Sequence, residues 1–377
     1  MLNGNFDLEY MWLKNITLLN FKNYSDANVS FSKTVNAFVG NNGAGKTNLL
    51  DAIHYLCLCK GYFNPIDSQQ IKMNEDLFMI QGDFERLEKN EKITCGLKRN
   101  QKKQFKRNKK EYDKLANHIG LFPLVMISPY DTNIIMEGSE ERRRFMDNVI
   151  SQTDSLYLDE LILYNKHLLN RNALLKQIAV TKSYDPTLLE IYNDQLIASG
   201  IKIFTKRKEF MLHFLPLFSK YYSFLTEDNE QVGLQYQSQL IDHTFEQLLT
   251  QSVEKDKILE RTTTGIHKDE LIFTIHEMPL KKFGSQGQQK SFVIALKLAQ
   301  YYYLQQHKGF KPLLLLDDIF DKLDDQRVSK LMEMVSHHDF GQIFITDTGK
   351  NRVLEIFEKI STPLTLFEVH NGTLNHA

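Results

Sequence analysis

The sequence predicts an α/β protein with a mixed β-sheet, interrupted by a mainly helical arm or lid domain, and three stretches carry that prediction. First, the apolar strand Val35–Val39 runs through the turn Gly40-Asn41-Asn42-Gly43-Ala44-Gly45 into Lys46-Thr47 and a helix that reaches Leu58. Second, Lys311–Leu316 is an apolar strand closed by two carboxylates, Asp317 and Asp318. Third, residues 139–225 between them place apolar residues at helical spacing, with few glycines or prolines before Pro186. Apolar strands flanking a helical block fit an α/β layer architecture with an insertion.

The first stretch names a ligand. Gly40 to Thr47 fits G-x-x-x-x-G-K-[ST], the loop that cradles nucleoside triphosphate. Glycines let backbone N–H groups turn inward onto phosphate oxygens, at the positive end of the following helix. Gly40, Asn41, Asn42, Gly43, Ala44, Gly45, Lys46, Thr47 and Asn48 are therefore candidate ATP contacts. Lys46 would reach the outer phosphates, and the Thr47 hydroxyl would take a place on Mg²⁺.

Composition bounds the rest. At 377 residues the chain has room for two domains, or one with a large insertion. A net charge of −1 advertises no polyanionic partner globally, so any nucleic-acid surface must be local. Cys57, Cys59 and Cys95 cannot close a framework by pairs and lack metal-ligand spacing. They read as reduced core thiols of a cytoplasmic protein. No apolar run approaches the ~20 residues of a membrane helix. Met1–Tyr10 lacks a signal peptide's apolar centre. Because Met11 opens the first periodic segment, residues 1–10 read as a dispensable extension.

Along the chain, residues 11–39 alternate as short strands, with Phe21-Lys22-Asn23-Tyr24 at a turn. Residues 77–113 read as further strands, with Gln101-Lys102-Lys103 at a hairpin tip. The helical block has no sustained heptads, which argues against a long coiled coil. Strands resume at Val232–Tyr236 and Leu271–Ile275, and an amphipathic helix is expected from Phe292 to Leu304. These limits predict a composite head of residues 1–130 plus 258–377, with an arm at 131–257.

In a phosphate-loop fold the strand ending in Asp317 is expected beside the first strand, delivering that acid to magnesium. Asp318 would polarise the attacking water as general base. Upstream, Ser285-Gln286-Gly287-Gln288 precedes the expected helix and reads as a capped helix start or as a second anion-binding corner. One phosphate chain does not need two such corners, so the second would serve the nucleotide of a neighbouring copy. Residues from Lys98 to Lys110 form the densest basic run, with Phe105 and Tyr112 interleaved. Lys98, Arg99, Lys102, Lys103, Lys106 and Arg107 are candidates for DNA phosphates, or simply a solvated hairpin. Arg142–Arg144 could likewise contact DNA, but pairing with Glu140 and Glu141 one helical turn away is the cheaper reading.

The phosphate loop, the Ser285 signature and the Leu313–Asp318 strand, in that order, resemble the ABC-type ATPase heads of the SMC superfamily. The chain resembles, more narrowly, the RecF family of recombination mediators. Leu18–Tyr24, Gly40–Ile53, Ser128–Asp131, Gly138–Asp147, Gly265–Leu271, Gly284–Ser291 and Leu314–Asp324 carry that likeness. It spans essentially residues 11–350. The sequence departs from the family at Ile266 (usually proline), at Lys268 and Glu270 (usually arginine and aspartate), and at Gly61–Asp67, which has no arginine.

The resemblance implies an ABC/SMC-like P-loop ATPase head and a weak, DNA-stimulated ATPase that acts as a switch. It also implies an ATP-dependent homodimer on gapped or junction DNA, bound without regard to sequence. RecR and RecO would be its partners in placing recombinase, and no membrane is involved. Thr346, with Asp347, matches the γ-phosphate sensor position, and Asp324 the loop that crosses the dimer interface. Another SMC-superfamily ATPase is the alternative, and more distantly a small-molecule kinase or a transporter ATPase.

Overall fold

The computed structural model describes residues 11–226, 230–320 and 325–376. The extension expected at residues 1–10, and Asp324, lie outside the described residues. The chain forms two compact units. One comprises the described residues up to Asp131 together with those from Lys290 onward; the other is Thr132–Gln289.

The first unit holds two six-stranded sheets. One is antiparallel, built from Tyr24–Ser30, Met11–Phe21, Leu77–Arg86, Lys89–Lys98, Gln104–Arg107 and Lys110–Glu111 in spatial order. The other is mixed and runs Thr373–His376, Leu364–His370, Val35–Val39, Ile343–Asp347, Leu313–Leu316, Leu124–Ile127, with only the first pair antiparallel. The helix Lys46–Leu58 touches strands of both sheets. That double contact explains why it has no exposed face: every residue from Leu49 to Leu58 is buried. Burying each of Leu49, Leu50, Ile53 and Leu56 stabilises the fold by about 1.5–3 kcal/mol. On the mixed sheet, Phe31, Phe38, Phe344 and Phe367 pack as edge-on and stacked rings.

The sheet order corrects one expectation. Leu313–Leu316 does not lie beside Val35–Val39, because Ile343–Asp347 is inserted between them. Apolar four-residue strands carry nothing that fixes which neighbour they take, so adjacency was not readable locally. A second correction concerns the helix expected at Phe292–Leu304. It runs Gln286–Lys308 and is buried nearly all round from Ser291 to Leu304, not amphipathic. Tyr301 reaches the Pro312 carbonyl and the Phe340 ring, Ser291 meets Arg327, and Lys297 meets Asp131, so several sides are covered. Cys57 lies in the first helix, but Cys59 is its left-handed cap; all three cysteines are buried free thiols.

The second unit is mainly helical, as expected for residues 139–225. Its helices are Ser139–Thr153, Ser155–Thr181, Pro186–Thr226 and Phe245–Leu259. Asp154 starts the second by accepting from the Tyr157 N–H at 3.0 Å, and Lys182 ends it in a left-handed conformation. Pro186 opens the third, where its missing N–H costs nothing. Val232–Gln237, Glu270–Ile275 and Met278–Pro279 form an antiparallel sheet with Glu270–Ile275 in the middle. Buried Arg207 fastens this unit. It meets Asp269 at 2.6 Å, Asp147 at 2.9 Å, the Ile266 carbonyl at 2.8 Å and the Tyr157 hydroxyl at 3.1 Å.

The arginine run divides. Arg144 pairs with Glu140 and Glu141 as expected, both on the exposed helix face. Arg142 does not: it makes a two-pronged pair with Glu270, at 2.7 and 2.8 Å. Arg143 donates to the Asp269 carbonyl. A partner 128 residues away outcompetes the local glutamates because a bidentate, half-buried pair is stronger than an exposed one.

Candidate active site

The parallel strands end together along one edge of the mixed sheet. In register, Val39 faces Asp347, and Leu316 faces both Ile345 and Ile127. Carboxyl ends of such strands are where α/β folds present chemistry. Gly40 leaves the first strand at φ 153°, and a Cβ there would lie 2.3 Å from the Val369 carbonyl oxygen. Gly45 precedes the helix at φ 120°, where a Cβ would lie 2.6 Å from Asn23. Only glycine fits either position. Asn41, Asn42 and Gly43 face solvent, so the mouth of the loop is open to a ligand.

The back of the loop is braced by residues given no individual role from sequence. Asn23 donates to the Ala44 carbonyl and accepts from Asn48, and Tyr24 donates to the Gly45 carbonyl at 3.0 Å. The Gly372 N–H also donates to Ala44. The turn Phe21–Tyr24 was legible as a turn; its use as a brace was not.

Lys46 is buried and its ammonium donates to the carbonyls of Gly40 and Asn41, at 2.6 and 3.0 Å. The Thr47 hydroxyl donates to Asp317 Oδ1 at 2.9 Å. The Thr346 hydroxyl donates to the same oxygen at 2.8 Å, and accepts from the Asp318 N–H at 2.9 Å. Thr346, on the inserted strand, thus bridges the gap that the sheet order opens between phosphate loop and acidic strand. Burial pushes the pKa of the Asp317 carboxyl upward, with the charge of Asp318 adding to the rise against the threonine hydrogen bonds and Lys46. A buried carboxylate short of compensation favours an arriving divalent cation. Two hard oxygens, Thr47 Oγ1 and Asp317 Oδ1, fit Mg²⁺, which takes its remaining ligands from phosphates and water.

Asp318 follows in a left-handed conformation, φ 48°. Asp347 is engaged differently from Thr346: its carboxylate takes Arg352 at 2.6 and 2.7 Å and the Gly349 N–H at 2.6 Å. It braces the loop after the strand, while Thr346 joins Thr47 in presenting a hydroxyl to Asp317.

Ser285–Gln288 lie in the second unit. The Ser285 hydroxyl accepts from the Gln288 N–H at 3.2 Å, and the Gln288 side chain accepts from the Ser285 N–H at 2.8 Å. This reciprocal capping box opens the helix Gln286–Lys308. Gln288 also donates to Glu230 at 2.9 Å, while Ser285 and Gln286 remain exposed.

The basic run splits by burial. Lys98, Arg99 and Lys102 are exposed, and Lys106 is half-buried. Lys103 turns inward to Asp67 at 2.8 Å, the Tyr55 hydroxyl at 3.0 Å and the Cys59 carbonyl at 2.6 Å. Arg107 pairs with buried Glu91, and Phe105 is part of the core.

Residues 12–375 match the family model described as the RecF/RecN/SMC N-terminal domain. A curated relative from Flavobacterium johnsoniae, named DNA replication and repair protein RecF, is 50% identical over 359 residues, covering 95% of this chain and all of that one. The chain belongs to the RecF family. A relative of the same name from Bacteroides thetaiotaomicron is 48% identical across 97% of this chain and 98% of its own. The fold agrees: a solved structure described as the recombination mediator RecF with ATP, in the RecFOR pathway, matches with a TM-score of 0.91 at 29% identity over the full length of both chains. The Smc head of Pyrococcus furiosus matches at 0.56 and 16% identity, over 97% of this chain and 96% of its own, sharing the fold. Membership of this family removes the kinase and transporter readings. No described helix is long and apolar enough to cross a membrane.

Proposed function

We propose that this RecF-family protein is an ATP-gated DNA-binding protein of recombinational repair. The meeting of Thr47, Thr346 and Asp317 on one oxygen at the sheet edge is the observation that carries the reading. ATP phosphates lie along Gly40–Thr47 and are neutralised by Lys46. Thr47 and Asp317 would hold Mg²⁺, which would supply charge compensation for the phosphates. Asp318 accepts the proton of the attacking water, and Thr346 senses the γ-phosphate through the same hydrogen-bond set. Ser285–Gln288 of a second copy close the site, so residues 258–289 serve the head although they fold with the arm. Loss of the γ-phosphate removes the binding energy that favours the closed dimer, and hydrolysis opens it.

The exposed residues Lys98, Arg99 and Lys102, with half-buried Lys106, meet DNA phosphates, and Lys103 and Arg107 hold the hairpin. RecO- and RecR-type mediators act on the DNA-bound dimer. The test is sedimentation with and without ATP, on gapped duplex at two salt concentrations. The expected result is an ATP-dependent doubling of mass and DNA binding that weakens with salt; a monomer at all ATP concentrations would sink the reading.

Replacing Lys98, Arg99 and Lys102 together by alanine should flatten the slope of log affinity against log salt by about 2.7, at ~0.9 per phosphate contact. Fluorescence anisotropy across a salt series checks this, and an unchanged slope excludes the hairpin.

A further inference from the structure

A buried polar cluster joins the phosphate-loop helix to the helix Gln286–Lys308, and nothing in the proposed hydrolysis uses it. Asp51, on the first helix, is buried and accepts the Tyr62 N–H at 2.5 Å while pairing with Lys22. Tyr62 then points its hydroxyl at Asp131, to which it donates. Lys297, on the second helix, lies 2.7 Å from Asp131 Oδ1 and 3.2 Å from the Tyr62 hydroxyl. Lys297 is 5% exposed and Asp131 4%. The other Asp131 oxygen accepts the Ser128 N–H at 2.7 Å, at the end of the strand beside Leu313–Leu316. Burial, and next Asp131, push the Tyr62 hydroxyl well above its ordinary pKa, so it stays protonated and donates.

Apolar residues of equal volume would hold the helices together as well as this ion pair does, because burying both charges costs most of what their attraction returns. What the pair and the tyrosine add is one defined geometry. Lys297 lies about three turns along the helix from Gln286.

We propose that Tyr62 and the Lys297–Asp131 pair are positioning residues that lock the signature-bearing helix to the phosphate-loop helix, making ATP-dependent pairing of two copies possible. The inference rests on the ATP-gated dimer proposed above. Tyr62→Phe removes a single oxygen and tests it. ATP affinity measured by calorimetry on the monomer should stay within about 2-fold of wild type, since the Tyr62 hydroxyl is engaged by Asp131 and Lys297, outside the phosphate loop, whereas a lost hydrogen bond to a charged group should weaken the ATP-dependent dimer about 10-fold. In turnover, kcat should fall in step with KM unchanged.

Lys297→Met alone would strand the buried Asp131, so the neutral double variant Lys297→Met/Asp131→Asn is paired with Lys297→Arg. The double variant should bind ATP and dimerise weakly; the arginine variant should recover most of the dimer. Wild-type dimerisation in both Tyr62→Phe and the neutral double variant overturns the inference, and so does a parallel loss of ATP affinity. If the unmodified protein fails to dimerise with ATP, the proposed function fails first and this inference with it. A wild-type dimer beside indifferent variants defeats this inference alone.

Discussion

Asp318→Asn should slow ATP hydrolysis by about 100-fold or more while leaving ATP bound, the range expected when a general base is removed. The amide keeps the size of the carboxylate but cannot take the proton of the attacking water. Asp317, Thr47 and Thr346 are untouched by the change, and the Asp318 N–H still reaches Thr346, since that bond is made by backbone. Nucleotide binding should therefore survive and the closed dimer accumulate. Single-turnover hydrolysis together with sedimentation in ATP measures both effects. Hydrolysis at the wild-type rate would remove Asp318 from the chemistry. A slow variant that never dimerises would instead break the link between ATP and assembly.

Arg207→Met should destabilise the second unit by about 3–5 kcal/mol, the usual cost of breaking a buried ion pair from one side. Its guanidinium serves Asp269 and Asp147 together with the Ile266 carbonyl and Tyr157. Without it, Asp269 is left buried with Tyr236 as its hydrogen-bonded neighbour at 2.5 Å, and burial already pushes its pKa upward from the ordinary value. The loss is thus an uncompensated charge more than a missing contact. Chemical denaturation should show the transition of the second unit moving to lower denaturant. A midpoint unchanged from wild type would mean that Asp269 finds a proton or another partner at little cost.

Local chemistry was legible in the sequence. The phosphate loop, the strand that feeds it, the hairpins around Phe21–Tyr24 and Gln101–Lys103 and the long helices all follow from spacing and turn residues within short windows. What escaped were pairings set by distant parts of the chain. The insertion of Ile343–Asp347 between the two functional strands has no local signature. Arg142 chose Glu270 over nearer glutamates for the same reason. Lys297 sits in an apolar helical run where a lysine reads as a surface residue, and only the fold reveals Asp131 waiting beside it. Lys103 and Arg107 show the converse error: a dense basic run looks uniformly solvated until two of its members turn to buried or half-buried acids.

The strand order of the mixed sheet also constrains how the protein is made. Among the described residues, Val35–Val39 pairs in its sheet with Ile343–Asp347 and Leu364–His370, both roughly 300 residues downstream. At a ribosomal pace of about 5–20 residues per second, that strand waits on the order of 15–60 s for its first neighbour. Pairings this remote in sequence are slow to close even once the chain is free. No nascent chain can offer a finished nucleotide pocket before residues 343–370 have emerged. Translation itself thereby delays when a new copy acquires its phosphate loop in finished form.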